Sequence, residues 1–359
     1  MPGLDLSWPG FAVFRHKDEF TTEGRSMPIA VTGSIATDHL MYFPGEFRSQ
    51  LASSPATTTD NRHFSLSYIV DDLVVRRGGV GANIAYGLAQ MGLTPILAGA
   101  VGKDFDDSFR PYLENAGVNC QHVYLSPTAH TARFVCTTDE QMNQISSFYA
   151  GAVAESVDID LLDISKRVEG LDMVVVGSND PQAMMKHAGQ CRHKGIDYLL
   201  DPGQQVGQLE PDELARLVTG AKYLFVNEYE RELLQSATGL TDEELLQRVR
   251  VLVTTKGKDG VDLEGREIDR ISVPIAREIR VYDPTGVGDG FTAGFVAGLA
   301  WGVSLRRAAE FGSLLATLVL ESVGTQEYVV EPVSFVQRLD ESYGPACAAE
   351  ASSRLLPEE

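Results

Sequence analysis

The chain has 359 residues, 43% of them hydrophobic and 22% charged, which is the composition of an ordinary globular protein. Lys and Arg total 30 against 50 Asp and Glu, and the net charge of −20 excludes a general electrostatic surface for nucleic acid or an anionic membrane. No apolar run reaches the ~20 residues that span a bilayer, and four scattered cysteines without C-x-x-C spacing predict reduced thiols and a cytoplasmic location.

Residues 1–26 precede the first convincing strand and lack a signal-peptide pattern, so we expect either a disordered extension or a segment that results from the start-codon assignment. From Pro28 onward, short apolar runs alternate with helical patterns, which predicts a parallel sheet covered by helices. The uninterrupted apolar character of the runs fits strands that are buried on both faces. The predicted strands are 29–33, 94–102, 173–179, 197–201, 223–227 and 251–255.

Two stretches in the first half of the chain break this alternation. Residues 64–77 and 130–149 have the pattern of amphipathic strands without crossover helices, and they predict a small antiparallel sheet that forms a lid. Residues 44–62 form a polar loop, in which SSPATTTDN is expected to be flexible. We therefore predict one domain over 27–345, with lid strands within about 36–77 and 121–150, and a solvated tail over 346–359.

A first glycine cluster, Gly78-Gly79 followed by Asn83, leads into a helical pattern. A tight turn is the plain interpretation, because glycine turns are common. Asp38 follows the first strand, where a carboxylate either caps a turn or hydrogen-bonds sugar hydroxyls. His187 and Cys191 are one helical turn apart, but the surrounding Lys and Arg favour a solvated helix face over a metal site.

The segment DPTGVGDG, residues 283–290, stands at the start of a small-residue helix. Glycines let backbone N–H groups converge on an anion at a helix N-terminus, where the macrodipole also favours negative charge. A helix cap is the plain role for Asp289. In that position its carboxylate is also suited to deprotonate an attacking hydroxyl, while the amides stabilise a transferring phosphoryl group.

Two further polar segments follow predicted strands. Asn227 and Glu230 lie in an N-x-x-E pattern, which either complements the helix dipole or holds Mg²⁺ through its waters. Residues 254–260, TTKGKDG, form either a hairpin turn or a loop that contacts a nucleotide. Because ligands of open α/β sheets gather at the carboxyl ends of the strands, we expect these segments to share one site.

These segments together resemble the signature motifs of the ribokinase-like (PfkB) carbohydrate and nucleoside kinases. The similarity rests on GGVGANIAYGLAQMG, DPTGVGDGFTAGFVAG, NEYE and TTKGKDG, and it extends over roughly residues 28–340. Within the family, GSIATDHLMYFPG, HTARFVCTTD, SFYAGA and LESVGTQE resemble bacterial adenosine kinases. The resemblance implies a three-layer α/β/α domain with a central, mostly parallel sheet and a small β-sheet lid.

The resemblance also implies a role for each matching residue. Asp289 would be the catalytic base, and the amides of Gly286, Val287 and Gly288 would form the anion hole. The nucleoside would be held by Ser34, Asp38, Gly78, Gly79, Asn83, Phe134, Phe148 and Gln205. ATP would be bound by Asn227, Glu230, Thr255, Gly257 and Gly260, with Glu230 holding Mg²⁺ through water. Val287 replaces a usual small residue, and Gly290 replaces Ala at a cost of about 1 kcal/mol in helix propensity.

The function implied is an ATP- and Mg²⁺-dependent adenosine kinase of purine salvage, which makes AMP and ADP; activation by K⁺ is left open. Pairing of two subunits through the lid strands is implied by the relatives. A sugar kinase of the ribokinase or fructokinase type, and a kinase for another purine nucleoside, are the alternatives. Aromatic residues in the lid strands favour a flat base over a bare sugar. A non-catalytic nucleoside-binding regulator is disfavoured, because the chain retains both Asp289 and the glycine loop.

Overall fold

The computed structural model describes residues 27–49, 67–141 and 143–356. The predicted extension, residues 1–26, and the loop segment SSPATTTDN lie outside the described residues. The strands are β1 (Ile29–Thr32), β2 (Ala36–Phe43), β3 (Asp72–Gly78), β4 (Ile96–Ala98), β5 (Ala100–Val101), β6 (Tyr124–Leu125), β7 (Ala132–Asp139), β8 (Gln144–Tyr149), β9 (Met173–Gly177), β10 (Asp197–Asp201), β11 (Tyr223–Asn227), β12 (Val251–Thr255), β13 (Val261–Gly265) and β14 (Ile268–Val273).

The helices alternate with these strands over most of the chain. They are α1 (Val80–Gln90), α2 (Phe105–Ala116), α3 (Leu161–Arg167), α4 (Pro181–Lys194), α5 (Pro211–Val218), α6 (Glu228–Thr238), α7 (Asp242–Arg248), α8 (Val287–Ala300), α9 (Leu305–Leu320), α10 (Pro332–Tyr343) and α11 (Pro345–Leu355). None of the helices in the described ranges is long and apolar enough to cross a bilayer.

The main sheet has eight strands in the order β14-β13-β12-β11-β10-β9-β1-β4. The six strands from β12 to β4 run parallel, and β13 and β14 add an antiparallel edge. Alternate residues of β1 enter different apolar clusters: Ile29 and Val31 pack with α1, α8 and α9, whereas Ala30 packs with the α4 side. Helices therefore cover both faces, and the predicted three-layer α/β/α fold with a mostly parallel sheet is confirmed.

One prediction about the strands needs correction, and one of two stated alternatives is observed. The single strand predicted over 94–102 is two short strands, because β4 pairs with β1 while β5 leaves the main sheet to pair with β6. The segment TTKGKDG forms the turn of a β12–β13 hairpin, so one of its two interpretations, the hairpin, holds.

A separate four-stranded sheet, in the order β3-β2-β7-β8, forms the predicted lid, but it is mixed rather than antiparallel, because the central strands β2 and β7 run parallel. Its strands share one register, in which Asp38 of β2 pairs with Arg76 and Phe134, and Phe134 pairs with Phe148 of β8. Directly paired residues lie on the same face of a sheet. One face of the lid therefore presents a row of four side chains, one from each strand: Arg76, Asp38, Phe134 and Phe148.

Helices α8 and α9 pack unusually close together. A Cβ atom at Gly290 would lie 2.7 Å from Val319 Cγ2, and a Cβ atom at Gly294 would lie 2.7 Å from the carbonyl oxygen of Phe311. The glycines recur every four residues, so they line one face of α8. Gly290, which departs from the family pattern, is thus accounted for by a close helix–helix contact that leaves no room for an alanine.

Two predictions of solvated helices are wrong. The segment after Gly344 is helical, but Cys347 and Ala351 of α11 are fully buried in the main apolar cluster. His187 and Cys191 of α4 are fully buried as well, since this helix turns them toward the sheet. Both errors have one cause. Each helix carries charged residues and only a narrow apolar face, and it is this face that packs inward.

Candidate active site

The DPTGVGDG segment forms the start of α8, at the carboxyl edge of the parallel strands. Gly286 is the N-cap residue with φ 77°, and a Cβ atom there would lie 2.7 Å from Thr325 Cγ2. A Cβ atom at Gly288 would meet nothing within 4 Å, so the opening turn borders open space. The first amides of a helix lack intrahelical partners. The loop therefore has the geometry of an anion-binding helix start.

Asp289 lies in the first turn of α8 and is half-buried. Its Oδ2 accepts a hydrogen bond from Asn83 Nδ2 at 2.7 Å. The pKa of the Asp289 carboxyl is raised to about 8, mainly by burial; the hydrogen bond from Asn83 opposes the rise, and the negative charge of Asp201 contributes to it. A carboxyl with a pKa close to neutrality, beside free helix amides, is suited to accept a proton from a substrate hydroxyl.

Asp201 is a site residue that the sequence analysis missed. It ends β10, and its Oδ2 accepts a hydrogen bond from the Thr292 hydroxyl of α8 at 3.1 Å. Burial, and then the charge of Glu230, raise the pKa of Asp201 to about 7. The signal was an aspartate that ends the predicted strand 197–201 at the same sheet edge as the other segments.

The N-x-x-E residues form a capping box at the start of α6. The Asn227 side chain accepts from the Glu230 amide at 2.8 Å, and the Glu230 carboxylate accepts from the Asn227 amide at 2.9 Å. This is the helix-end interpretation considered above. The strand register also pairs Asn227 with Thr255 at the ends of β11 and β12. Because Glu230 acts electrostatically on Asp201, the capping box lies at the border of the same site.

The lid brings Asp38, Phe134 and Phe148 into the row described above. Asp38 lies within β2, so the interpretation as a turn cap is wrong. Its carboxylate Oδ2 lies 3.0 Å from the position of a Cβ atom at Gly78. Burial raises the pKa of Asp38, and the charges of Glu327 and Asp283 add to the shift. The row therefore places an acidic hydrogen-bond acceptor beside two aromatic rings.

The first glycine cluster joins the lid to α1. Gly79 has φ 94°, and a Cβ atom there would lie 2.6 Å from the Ser34 carbonyl oxygen, so only glycine fits this turn. The Ser34 hydroxyl accepts a hydrogen bond from the Val80 amide at 3.2 Å, and it thereby satisfies the start of α1. Asn83 lies one turn further along α1 and reaches Asp289, as described above.

The remaining predicted ligands lie in segments that follow the parallel strands. Gln205 belongs to a short 3-10 helix, Gly203–Gly207, directly after Asp201. Gly257 and Gly260, with φ 53° and 86°, shape the β12–β13 turn after Thr255. Among the described residues, no group of three or more His, Cys, Asp or Glu side chains is arranged to hold a metal ion by itself.

Comparisons with known proteins agree with this geometry. The model of the pfkB family carbohydrate kinases matches residues 56–331. A nucleoside kinase of Methanothermobacter thermautotrophicus is 30% identical over 269 residues, which cover 74% of this chain and 85% of the relative. A ribokinase of Bacillus subtilis is 26% identical over 257 residues, with 69% and 83% coverage.

Solved structures give the same result. Burkholderia thailandensis nucleoside kinase in complex with inosine matches with a TM-score of 0.76 and 27% identity, covering 88% of this chain and 99% of that one. The same kinase in complex with ADP-inosine matches with a TM-score of 0.73 and 29% identity, with 88% and 96% coverage. The chain therefore belongs to the pfkB family, and it is a ribokinase-like, ATP-dependent phosphotransferase whose acceptor is a hydroxyl group.

Proposed function

We propose that the chain phosphorylates the 5′-hydroxyl of a purine nucleoside, with adenosine as the first acceptor to test, giving AMP and ADP. The observation that carries the proposal is the lid row, in which Asp38 lies beside Phe134 and Phe148. A carboxylate is suited to accept hydrogen bonds from ribose hydroxyls, and the rings offer a stacking surface for a flat base. The nucleoside kinases among the relatives and the inosine complex support this choice.

Asp289 would accept the proton of the 5′-hydroxyl as that oxygen attacks the terminal phosphorus of ATP and ADP leaves. Asn83 Nδ2 already donates one hydrogen bond to this carboxylate and has a second N–H that could bind the ribose. The amides of Gly286, Val287 and Gly288 would donate to the equatorial oxygens of the transferring phosphoryl group. The roles proposed for Ser34 and Gln205 beside the purine remain part of this proposal.

Mg²⁺ is the metal that the family's chemistry implies. The site residues fit it, because Asp201 is a buried carboxylate whose pKa is raised partly by the charge of Glu230, and a divalent cation would relieve that repulsion. Mg²⁺ commonly takes one or two carboxylates together with phosphate oxygens and waters. Bound there, it would neutralise charge on the ATP phosphates beside Asn227, Thr255 and the 257–260 turn. Activation by K⁺ stays a prediction.

The acceptor is tested by an ATP assay over adenosine, inosine, guanosine, ribose and fructose. We expect kcat/KM to be highest for adenosine or another purine nucleoside. Phosphorylation of only a free sugar would refute the nucleoside proposal and favour a ribokinase-type activity, for which the Bacillus subtilis relative is the model.

The variant Asp289→Asn should lose most of kcat while its nucleoside affinity, measured by calorimetry, changes by no more than a few-fold. Binding without turnover in the unmodified chain would favour a regulator.

We also propose that two copies of the chain pair through the outer face of the lid. Leu73 is 56% exposed, Val75 54% and Ile145 44%, and the strand register places all three on the face opposite the row of Asp38. Exposed apolar side chains on one face of a sheet are typical of an association surface. Light scattering should give a dimer mass, and Val75→Glu should give a monomer. The proposal also includes two further points. Residues 27–345 form one kinase domain, and the enzyme acts in purine salvage in the cytoplasm.

A further inference from the structure

Within the described ranges, Asn83 is the only side chain that hydrogen-bonds to Asp289, and that bond depends on which way the Asn83 amide is turned. Asn83 is buried, with 6% of its surface exposed. Its Nδ2 lies 2.7 Å from Asp289 Oδ2. If the amide were rotated by half a turn, a carbonyl oxygen would face the carboxylate instead. That arrangement is repulsive unless Asp289 carries a proton.

Two donors on the other side of the amide decide its orientation. Gln326 Nε2 donates to Asn83 Oδ1 at 2.8 Å, and the Thr325 hydroxyl donates to the same oxygen at 2.9 Å. An amino group in that place would face another amino group. The two residues therefore turn the Asn83 carbonyl toward themselves and its amino group toward Asp289.

The backbone of Gln326 is held in place by hydrogen bonds, and its side-chain amino group faces Asn83. Gln326 is fully buried. Its backbone N–H donates to Glu327 Oε2 at 3.1 Å, and its backbone carbonyl accepts from the Tyr112 hydroxyl. Its Oε1 is buried without a hydrogen-bond partner in the described part of the chain. A buried, unpaired carbonyl destabilises a fold, so its presence calls for an explanation. The contact of the amino group with Asn83 provides one.

Thr325 adds a link to two other parts of the site. Its Cγ2 lies against Gly286, where a Cβ atom would approach to 2.7 Å. Its hydroxyl lies 3.0 Å from the carbonyl oxygen of Arg77, next to the last residue of lid strand β3. A hydroxyl has one proton and both neighbouring oxygens are acceptors, so Thr325 donates either to Asn83 or to the lid strand at a given moment. Gln326 is accordingly the constant donor.

We propose that Gln326 and Thr325 are positioning residues, which fix the Asn83 amide so that it donates to Asp289, favours the ionised form of the base and orients it. Their effect on the phosphorylation of a nucleoside rests on the proposed function, whereas the orientation of Asn83 does not. The other titratable groups that interact with Asp289 are Asp201 of β10 and Tyr328, which follows α9. Neither is altered in the variants below, so their influence is constant.

The test is the titration of Asp289 followed by ¹³C NMR of the aspartate carboxyl carbons, with the full chain and no substrate; Asp289→Asn assigns the signal. Gln326→Leu removes the constant donor, and we expect the midpoint to move up by about half a pH unit or more, because the Asn83 amide is then free to rotate. Thr325→Val should move it less in the same direction. Thr325→Ser keeps the hydroxyl and should leave it unchanged, which makes it the matched control.

Kinetics supply a second measurement. Gln326→Leu should lower kcat about tenfold with KM for the acceptor changed less than about threefold, and it should have no further effect in the Asp289→Asn background. If Gln326→Leu does not fold, Gln326→Met keeps the length of the side chain without a donor or a charge, and the shift should be about as large. A midpoint within about 0.2 pH unit of the unmodified chain in a folded variant overturns the proposal. The NMR result decides it even if the chain phosphorylates none of the acceptors tested.

Discussion

The raised pKa of Asp289 predicts that its ionised carboxyl lowers the free energy of unfolding. Asp289→Asn should therefore stabilise the fold, and by more at high pH than at low pH. The pKa rises from the ordinary 3.8 to about 8, so the folded chain holds this proton over a range in which the unfolded chain has lost it. Stability from this group is therefore complete below pH 3.8 and is lost as the pH rises toward 8. An asparagine does not ionise and can still accept the bond from Asn83.

The size of the effect follows from the shift. Each pKa unit corresponds to about 1.36 kcal/mol, so the full shift of about four units destabilises the folded chain by about 5–6 kcal/mol at pH 8. At pH 5, which is about one unit above the ordinary pKa of 3.8, the destabilisation is about 1.5 kcal/mol. Because the carboxyl is only half-buried, solvent screening reduces these figures, and we take about half of each. Asp289→Asn should therefore gain about 1 kcal/mol at pH 5 and about 3 kcal/mol at pH 8.

The assay is urea unfolding of the unmodified chain and the variant at pH 5 and pH 8, at one ionic strength. Asp269→Asn is the matched control, because Asp269 is an exposed carboxylate on β14, and its free energy of unfolding should change by less than about 0.5 kcal/mol at either pH. An equal gain at both pH values, or a loss at pH 8, would refute the reasoning that burial of the Asp289 charge opposes folding.

Four other outcomes are expected. With MgATP far below saturation, so that most of the enzyme is free of the cation, kcat/KM for the acceptor should rise about tenfold per pH unit below pH 8 and level off above it, because Asp289 must be ionised to accept the proton. Phe148→Ala should raise KM for adenosine about tenfold and leave ribose unaffected, whereas Ser147→Ala, on the other lid face, should change neither. Asp201→Asn should raise the Mg²⁺ concentration for half-maximal rate about tenfold. Gly294→Ala should lower the free energy of unfolding by about 1–3 kcal/mol in a denaturant titration, because its Cβ would meet the Phe311 carbonyl oxygen at 2.7 Å.

The sequence was most informative where the chemistry lies within one short segment. The loop amides and Asp289 fall within eight consecutive residues, so the glycine spacing and the helix start could be interpreted together. The alternation of strands and helices likewise predicted the layers of the fold, because burial on both faces leaves uninterrupted apolar runs. The lid was recognised from strands that lacked crossover helices.

The parts that were missed depend on contacts between distant residues. Asp201 is a site residue because it meets Thr292, which is 91 positions away, and Gln326 contacts Asn83 across 243 positions. Asp201 was marked only by its place at the end of a predicted strand, and Gln326 only by its place in the segment LESVGTQE. Gly290 looked like a departure from a motif, and its reason, the approach of Val319, is likewise a property of two packed helices. Single-sequence patterns identify a helix start more readily than the residues that support it.

Three acidic side chains at the site repel one another in turn, and among the described residues no positively charged side chain is seen to offset this repulsion. Glu230 raises the pKa of Asp201, and Asp201 raises that of Asp289. Buried carboxylates without a counter-charge destabilise a fold, so their arrangement fits a ligand that brings positive charge to one end and a proton to the other. A cation held near Glu230 and Asp201 would weaken both repulsions and lower the pKa of Asp289. The base would then become ionised as the phosphoryl donor is seated, which links proton removal to the presence of the group that is to be transferred.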